Sequence, residues 1–147
     1  MRAFLKGLLA VVLGLIAGSA VNMGLILLGG HLVPPPAGTD TSTTEGLQAA
    51  MPLFEARHFL FPFLAHALGT LAGALLATWI VGRSSKVPAL LIGLLFLAGG
   101  VASCFMLPAP RWFEVLDVLL AYVPFAWLGY LIAKKPARAW ERYKPRS

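Results

Sequence analysis

Residues 7–30 read GLLAVVLGLIAGSAVNMGLILLGG, 24 positions with no charge and one strongly polar side chain, Asn22. A helix needs about 20 apolar residues to cross the hydrocarbon core of a bilayer. This stretch alone therefore takes the chain out of the soluble classes. Working outward, residues 59–81 add 23 positions with only His66 ionisable, and residues 87–107 add 21 with none. A fourth run, 112–133, carries Glu114 and Asp117 near its start, ahead of an apolar stretch over 118–133. Every backbone donor and acceptor inside hydrocarbon must be satisfied within its own segment, which runs rich in Leu, Ala and Gly do as helices. The expected fold is an all-α membrane protein: a four-transmembrane-helix bundle running up-down-up-down, with residues 1–147 as one domain and 134–147 as a basic tail.

Composition agrees. Of 147 residues 59% are apolar and 12% charged, against about 45–50% and about 25% in soluble domains. The single cysteine, Cys104, excludes an internal disulfide, a Cys-rich zinc site and a CxxC redox centre.

Lys and Arg set the expected orientation. Arg2, Lys6, Arg83, Lys86, Lys134, Lys135, Arg138, Arg142, Lys144 and Arg146 fall at the termini and the 82–86 loop, while the two opposite loops hold only Arg57 and Arg111. Both termini are expected in the cytoplasm. The acids repeat the asymmetry, with Asp40, Glu45, Glu55, Glu114 and Asp117 outside and Glu141 inside. The basic balance is thus explained by topology and by attraction to anionic lipid at the cytoplasmic face, where Lys134, Lys135, Arg138 and Arg142 form a lipid-facing tail. No basic stripe with interleaved aromatics lies elsewhere, and nucleic acid is not an expected partner. An alternative reading of the N-terminus is a cleaved signal peptide, with Gly18-Ser19-Ala20 as the cleavage pattern. The apolar run continues to Gly30, which favours a retained span.

In the first outer loop Pro34-Pro35-Pro36 forms a stiff spacer, and Ser42-Thr43-Thr44-Glu45 has the capping-box form. A short surface helix over 43–50 is expected, broken by Pro52. Trp112, Trp127, Tyr122 and Tyr130 are expected in an interfacial belt. Gly7, Gly14, Gly18 and Asn22 in the first span, with Gly69 and Gly73 in the second, read as small-residue packing faces, the alternative being a permeation path. A weak internal likeness, Phe-Glu-x-x-His after Pro52 and Phe-Glu-x-x-Asp after Pro110, would suit a parallel repeat.

Asn22, His66 and Asp117 reach similar depths at ~1.5 Å per residue, with Gly99-Gly100 level with them. They are the candidate polar intramembrane cluster, either a hydrogen-bonded set that fixes helix register or a proton or ion relay. Glu55-Ala56-Arg57-His58 has the Glu-x-x-His spacing of di-metal bundles. Glu55, His58 and Glu114 are therefore candidate metal ligands, with His31, Cys104 and Met106 as further donors. Apart from that possible metal ion no cofactor is implied. There is no HExxH, GxSxG, Walker loop or strand-linked GxGxxG. A nucleophile would have to be Ser19, Ser103 or Cys104 beside His66.

The succession Val21-Asn22-Met23-Gly24-Leu25-Ile26, Pro34-Pro35-Pro36, Phe54-Glu55, His58-Phe59, Leu64-Ala65-His66-Ala67-Leu68-Gly69-Thr70, Gly99-Gly100 and Pro108 to Phe113 resembles a group of small four-span bacterial inner-membrane proteins. The resemblance implies a bacterial cytoplasmic membrane and carries no activity with it. The expected role is a non-catalytic accessory or scaffold protein within a homo-oligomer or larger membrane complex. The alternatives are an oligomeric small-solute or proton-coupled transporter, a metal-binding membrane protein and a membrane enzyme.

Overall fold

The computed structural model describes residues 1–83 and 85–134. Among these it is all-helical. The helices are α1 (Arg2–Leu32), α2 (Thr44–Ala50), α3 (Leu60–Val81), α4 (Val87–Met106), α5 (Arg111–Leu120) and α6 (Val123–Lys134), with 3₁₀ turns at Met51–Leu53 and Ala56–Phe59. Four helical stretches are long and apolar enough to cross a membrane: Arg2–Leu32, Ala56–Val81, Val87–Met106 and Arg111–Lys134. Lys135, Arg138 and Arg142 of the basic tail lie outside the described residues.

Prolines and a glycine set the ends. Pro34 disfavours helical geometry at Val33, which closes α1 with its N–H on Gly29 O at 2.8 Å. Gly82, at φ 109°, ends α3 with its N–H on Thr78 O; that conformation strains any residue with a Cβ. Pro108 ends α4 by the same rule, with Leu107 extended at ψ 130°. The surface helix α2 is capped one residue later than its sequence suggests. Thr43 Oγ1 accepts from Gly46 N, while Ser42 donates through its N–H and its hydroxyl to Asp40 Oδ1. Those two donors hold the Asp40 carboxyl below its ordinary pKa. Gln48 Nε2 donates to Met106 O at 2.6 Å and ties α2 to the end of α4.

The fourth stretch is not the continuous helix expected over 112–133. It breaks at Ala121–Tyr122. Pro124 has no N–H to offer Leu120 O, and its ring crowds that carbonyl.

Packing is by small residues. α3 touches α1, α4 and α6, and α1 barely meets α4. A Cβ on Gly14 would lie 2.7 Å from Gly73 O and one on Gly18 2.6 Å from Gly69 O, with the reciprocal approaches equally close. Four glycines thus bring the α1 and α3 backbones together, as small-xxx-small pairs do. Gly7 and Gly24 face open space and take no part. Alanines dominate the central core, with Ala10, Ala74, Ala77, Ala89 and Ala126 around Ile92. Leu8, Leu9, Ile16, Leu27, Leu94 and Leu119 point outward and are exposed. Large side chains outside and small ones inside is the arrangement expected where the solvent is hydrocarbon.

Two expectations need correction. Tyr122 and Tyr130 do not face outward as belt residues would: their rings are buried in the protein, at 1% and 7% exposure. Trp112 and Trp127 are exposed, and Lys86 Nζ lies 6.0 Å from the Trp127 ring. The two stretches of the suggested repeat also fold differently. Residues after Pro52 form a 3₁₀ turn with Glu55 as its cap, whereas those after Pro110 enter α5 directly, with Glu114 inside its first turn.

Candidate functional site

The site grows from the break in the fourth stretch. In an unbroken helix residues five apart lie about 140° apart around the axis at ~100° per residue, so Asp117 and Tyr122 would face different ways. With the helix interrupted, Tyr122 turns inward and its hydroxyl donates to Asp117 Oδ2 at 2.6 Å. α3 supplies His66, whose Nδ1 lies 2.9 Å from both Asp117 oxygens and 3.0 Å from the tyrosine hydroxyl. With Asp117 ionised and the tyrosine proton committed to it, Nδ1 is the nitrogen that carries a proton and donates to the carboxylate. Every hydrogen bond of the His66 ring among the described residues runs through Nδ1, which leaves Nε2 available to a ligand. Thr70 Oγ1 donates to His66 O at 2.7 Å. On the facing helix α4, a Cβ at Gly100 would collide with the end of the Tyr122 ring. Glycine there is what allows the phenol to reach Asp117.

Two cavities meet at these residues. One, of about 520 Å³, runs from the 33–47 loop and α2 down between α1, α3, α4 and α5 until it reaches Gly100, His66 and Asp117. Its volume lies within the range of small-molecule sites, and such sites are mostly apolar with a few converging polar groups. The other, of about 460 Å³, lies in the gap between α1 and α4 and is lined by Ser19, Asn22, Phe96 and Tyr122. His66, Gly100 and Ser103 line both. The His66 side chain is 24% exposed and that of Asp117 5%, so the histidine is the accessible member of the pair.

Of the three residues expected to converge, His66 and Asp117 are in contact and Asn22 is not bonded to either. Asn22 packs over Gly69, where a Cβ would lie 3.0 Å from its own, and faces the second cavity. Tyr122 is the member sequence reasoning missed. Pro124, two residues further on, was the available signal. Gly100 closes on Tyr122, whereas Gly99 has nothing within 4 Å of its Cβ position.

Glu55, His58 and Glu114 do not assemble. Among the described residues no three of His, Cys, Asp and Glu gather as a metal would require. Glu55 and His58 instead cap the start of the second stretch: His58 Nδ1 accepts from Glu55 N at 2.9 Å, and the Glu55 side chain accepts from the turn's backbone. The Glu-x-x-His spacing here is a reciprocal cap. Glu55 also pairs with Arg57 at 3.0 Å where both are well exposed, a contact of little energetic value. Glu114 lines the larger cavity near Cys104 and Ser103.

No protein-family model, curated protein or solved structure matches the chain.

Proposed function

We propose that the chain is a four-helix transmembrane bundle of the bacterial cytoplasmic membrane, running up-down-up-down with both termini cytoplasmic. In this reading it binds a small solute from the outer side and couples that binding to a proton on His66. The observation that carries it is the larger cavity ending on an Asp117–His66–Tyr122 set whose histidine keeps one nitrogen free.

The chemistry follows from the bonds. A carboxylate in hydrocarbon costs about 2.5–3.5 kcal/mol on insertion scales, which donors from Tyr122 and His66 offset. A proton arriving from the cavity adds at Nε2, and the imidazolium so formed stays hydrogen-bonded to Asp117. Removing it returns the neutral ring with its Nδ1 proton in place. A side chain able to take up and release a proton is what coupling requires. The α2 end carries Asp40, Glu45, Glu55 and Glu114, in keeping with an outward orientation.

Proteoliposomes of the full chain with a trapped pH-sensitive dye, challenged in turn with organic cations, anions and neutral solutes, test this. Solute-dependent proton movement that His66→Gln abolishes, with helical circular dichroism retained, is the expected result. Its absence for every solute class overturns the proposal. A non-catalytic accessory role is the second reading, favoured by α1: while Val11 and Leu15 pack on the core, its large side chains Leu8, Leu9, Leu13 and Ile16 are exposed.

A further inference from the structure

The charge inventory of the larger cavity narrows its ligand. Glu114 and Asp117 line it together with His31, His58 and His66, and among the described residues no Lys or Arg does. Arg57 and Arg111, the basic residues of that end, are exposed and stand outside the lining. The partners of Asp117 are a phenol hydroxyl and an imidazole N–H. With the ring neutral these solvate the carboxylate without cancelling its charge.

The remaining wall is apolar and aromatic, with Phe54, Phe59, Phe61 and Phe113 in the lining. Phe59 and Phe113 have ring centroids 4.8 Å apart. A low-dielectric cleft of one sign concentrates solutes of the opposite sign, and aromatic faces add cation–π attraction. An anionic head would meet two carboxylates and no fixed cation.

We infer that the cavity takes a lipophilic cation, its apolar body among the phenylalanines and its positive charge toward Glu114 and Asp117. This rests on the cavity being the solute site proposed above. The gap between α1 and α4 suits such a molecule. It reaches the same His66, Gly100 and Ser103 and is bordered by Met23 and Leu95, whose side chains are exposed on the apolar outer surface. A membrane-dissolved solute can therefore approach from the side as well as from the α2 end. His66 bonds Asp117 and Tyr122 of the fourth stretch and shares its cavities with Ser103 of α4 and Asn22 of α1, with Glu114, Cys104, His58 and His31 further along the larger one. The carboxylates there are Asp117 and Glu114, so a proton on His66 and a bound cation compete for them.

The test uses the full chain in nanodiscs of zwitterionic lipid, with empty discs as reference and three probes of similar bulk. These are tetraphenylphosphonium, tetraphenylborate and triphenylphosphine oxide. The expected result is saturable binding of the cation alone, weakened at least about tenfold by Asp117→Asn. Glu114→Gln, in the half-buried first turn of α5, is expected to weaken it less while leaving the His66–Asp117 contact intact. Anion or neutral binding as tight as that of the cation overturns the ligand class and leaves the cavity reading standing. Cation binding unchanged in both variants does the same. Failure of all three probes to bind saturably overturns the cavity reading itself.

Discussion

At Tyr122 a hydroxyl buried to 1% exposure bonds a carboxylate at 2.6 Å, so its removal should be felt as a lost charge-assisted bond. Tyr122→Phe is expected to lower unfolding stability in detergent by about 1.5–3 kcal/mol. An unchanged denaturation midpoint would mean that the contact carries no net energy. Gly100 gives a matched pair with its neighbour. Gly100→Ala pushes a methyl into the Tyr122 ring and is expected to destabilise by about 1–3 kcal/mol, whereas Gly99→Ala meets nothing and gains up to about 1 kcal/mol of helix propensity. Equal effects of the two would contradict the assigned orientation of α4. At this scale the sequence was legible in part. His66 and Asp117 could be paired because depth follows from residue count. Tyr122 could not be added, since counting around a continuous helix points it away from Asp117.

Elements were more legible than their irregularities. Runs without charge over 7–30, 59–81 and 87–107 correspond to α1, α3 and α4, because the length rule depends on hydropathy alone. The break at Ala121–Tyr122 is invisible to hydropathy, since it follows from the N–H that Pro124 cannot offer Leu120 O. The cap of α2 moved from Ser42 to Thr43 because Asp40 captures both Ser42 donors. The α1–α3 seam supplies the prediction at this scale. Gly18→Leu drives a side chain into Gly69 O and the Phe96 ring, and overpacking of this kind costs about 1–3 kcal/mol or more. Gly24→Leu, with nothing within 4 Å, is expected to leave stability unchanged. Thermal unfolding of both variants in the same detergent is the measurement, and similar losses would place the seam elsewhere.

Among the described residues the acidic groups gather at one end of the helices and, Arg57 and Arg111 apart, the basic groups at the other. Lys86 and Lys134 lie over the rings of Trp127 and Tyr130, 6.0 and 5.8 Å from their centroids, and Arg83 is in the same α3–α4 connection. The opposite end holds α2 with Asp40, Glu45 and Glu55, and the mouth of the cavity lined by Glu114. If positive charge is retained inside, the cavity faces out and its solute arrives without crossing the membrane first. If the chain were inverted, the same carboxylates would meet cytoplasmic solutes and any coupling would run the other way. Single cysteines in a Cys104→Ala background decide between these. Thr41→Cys and Ala109→Cys, at the cavity end, should react with an impermeant thiol reagent in intact cells, and Ser85→Cys only after the membrane is permeabilised. Labelling of position 85 from outside would reverse the orientation while leaving the helices, the seam and the His66–Asp117–Tyr122 contacts as they are, because none of those depends on which face of the membrane the cavity meets.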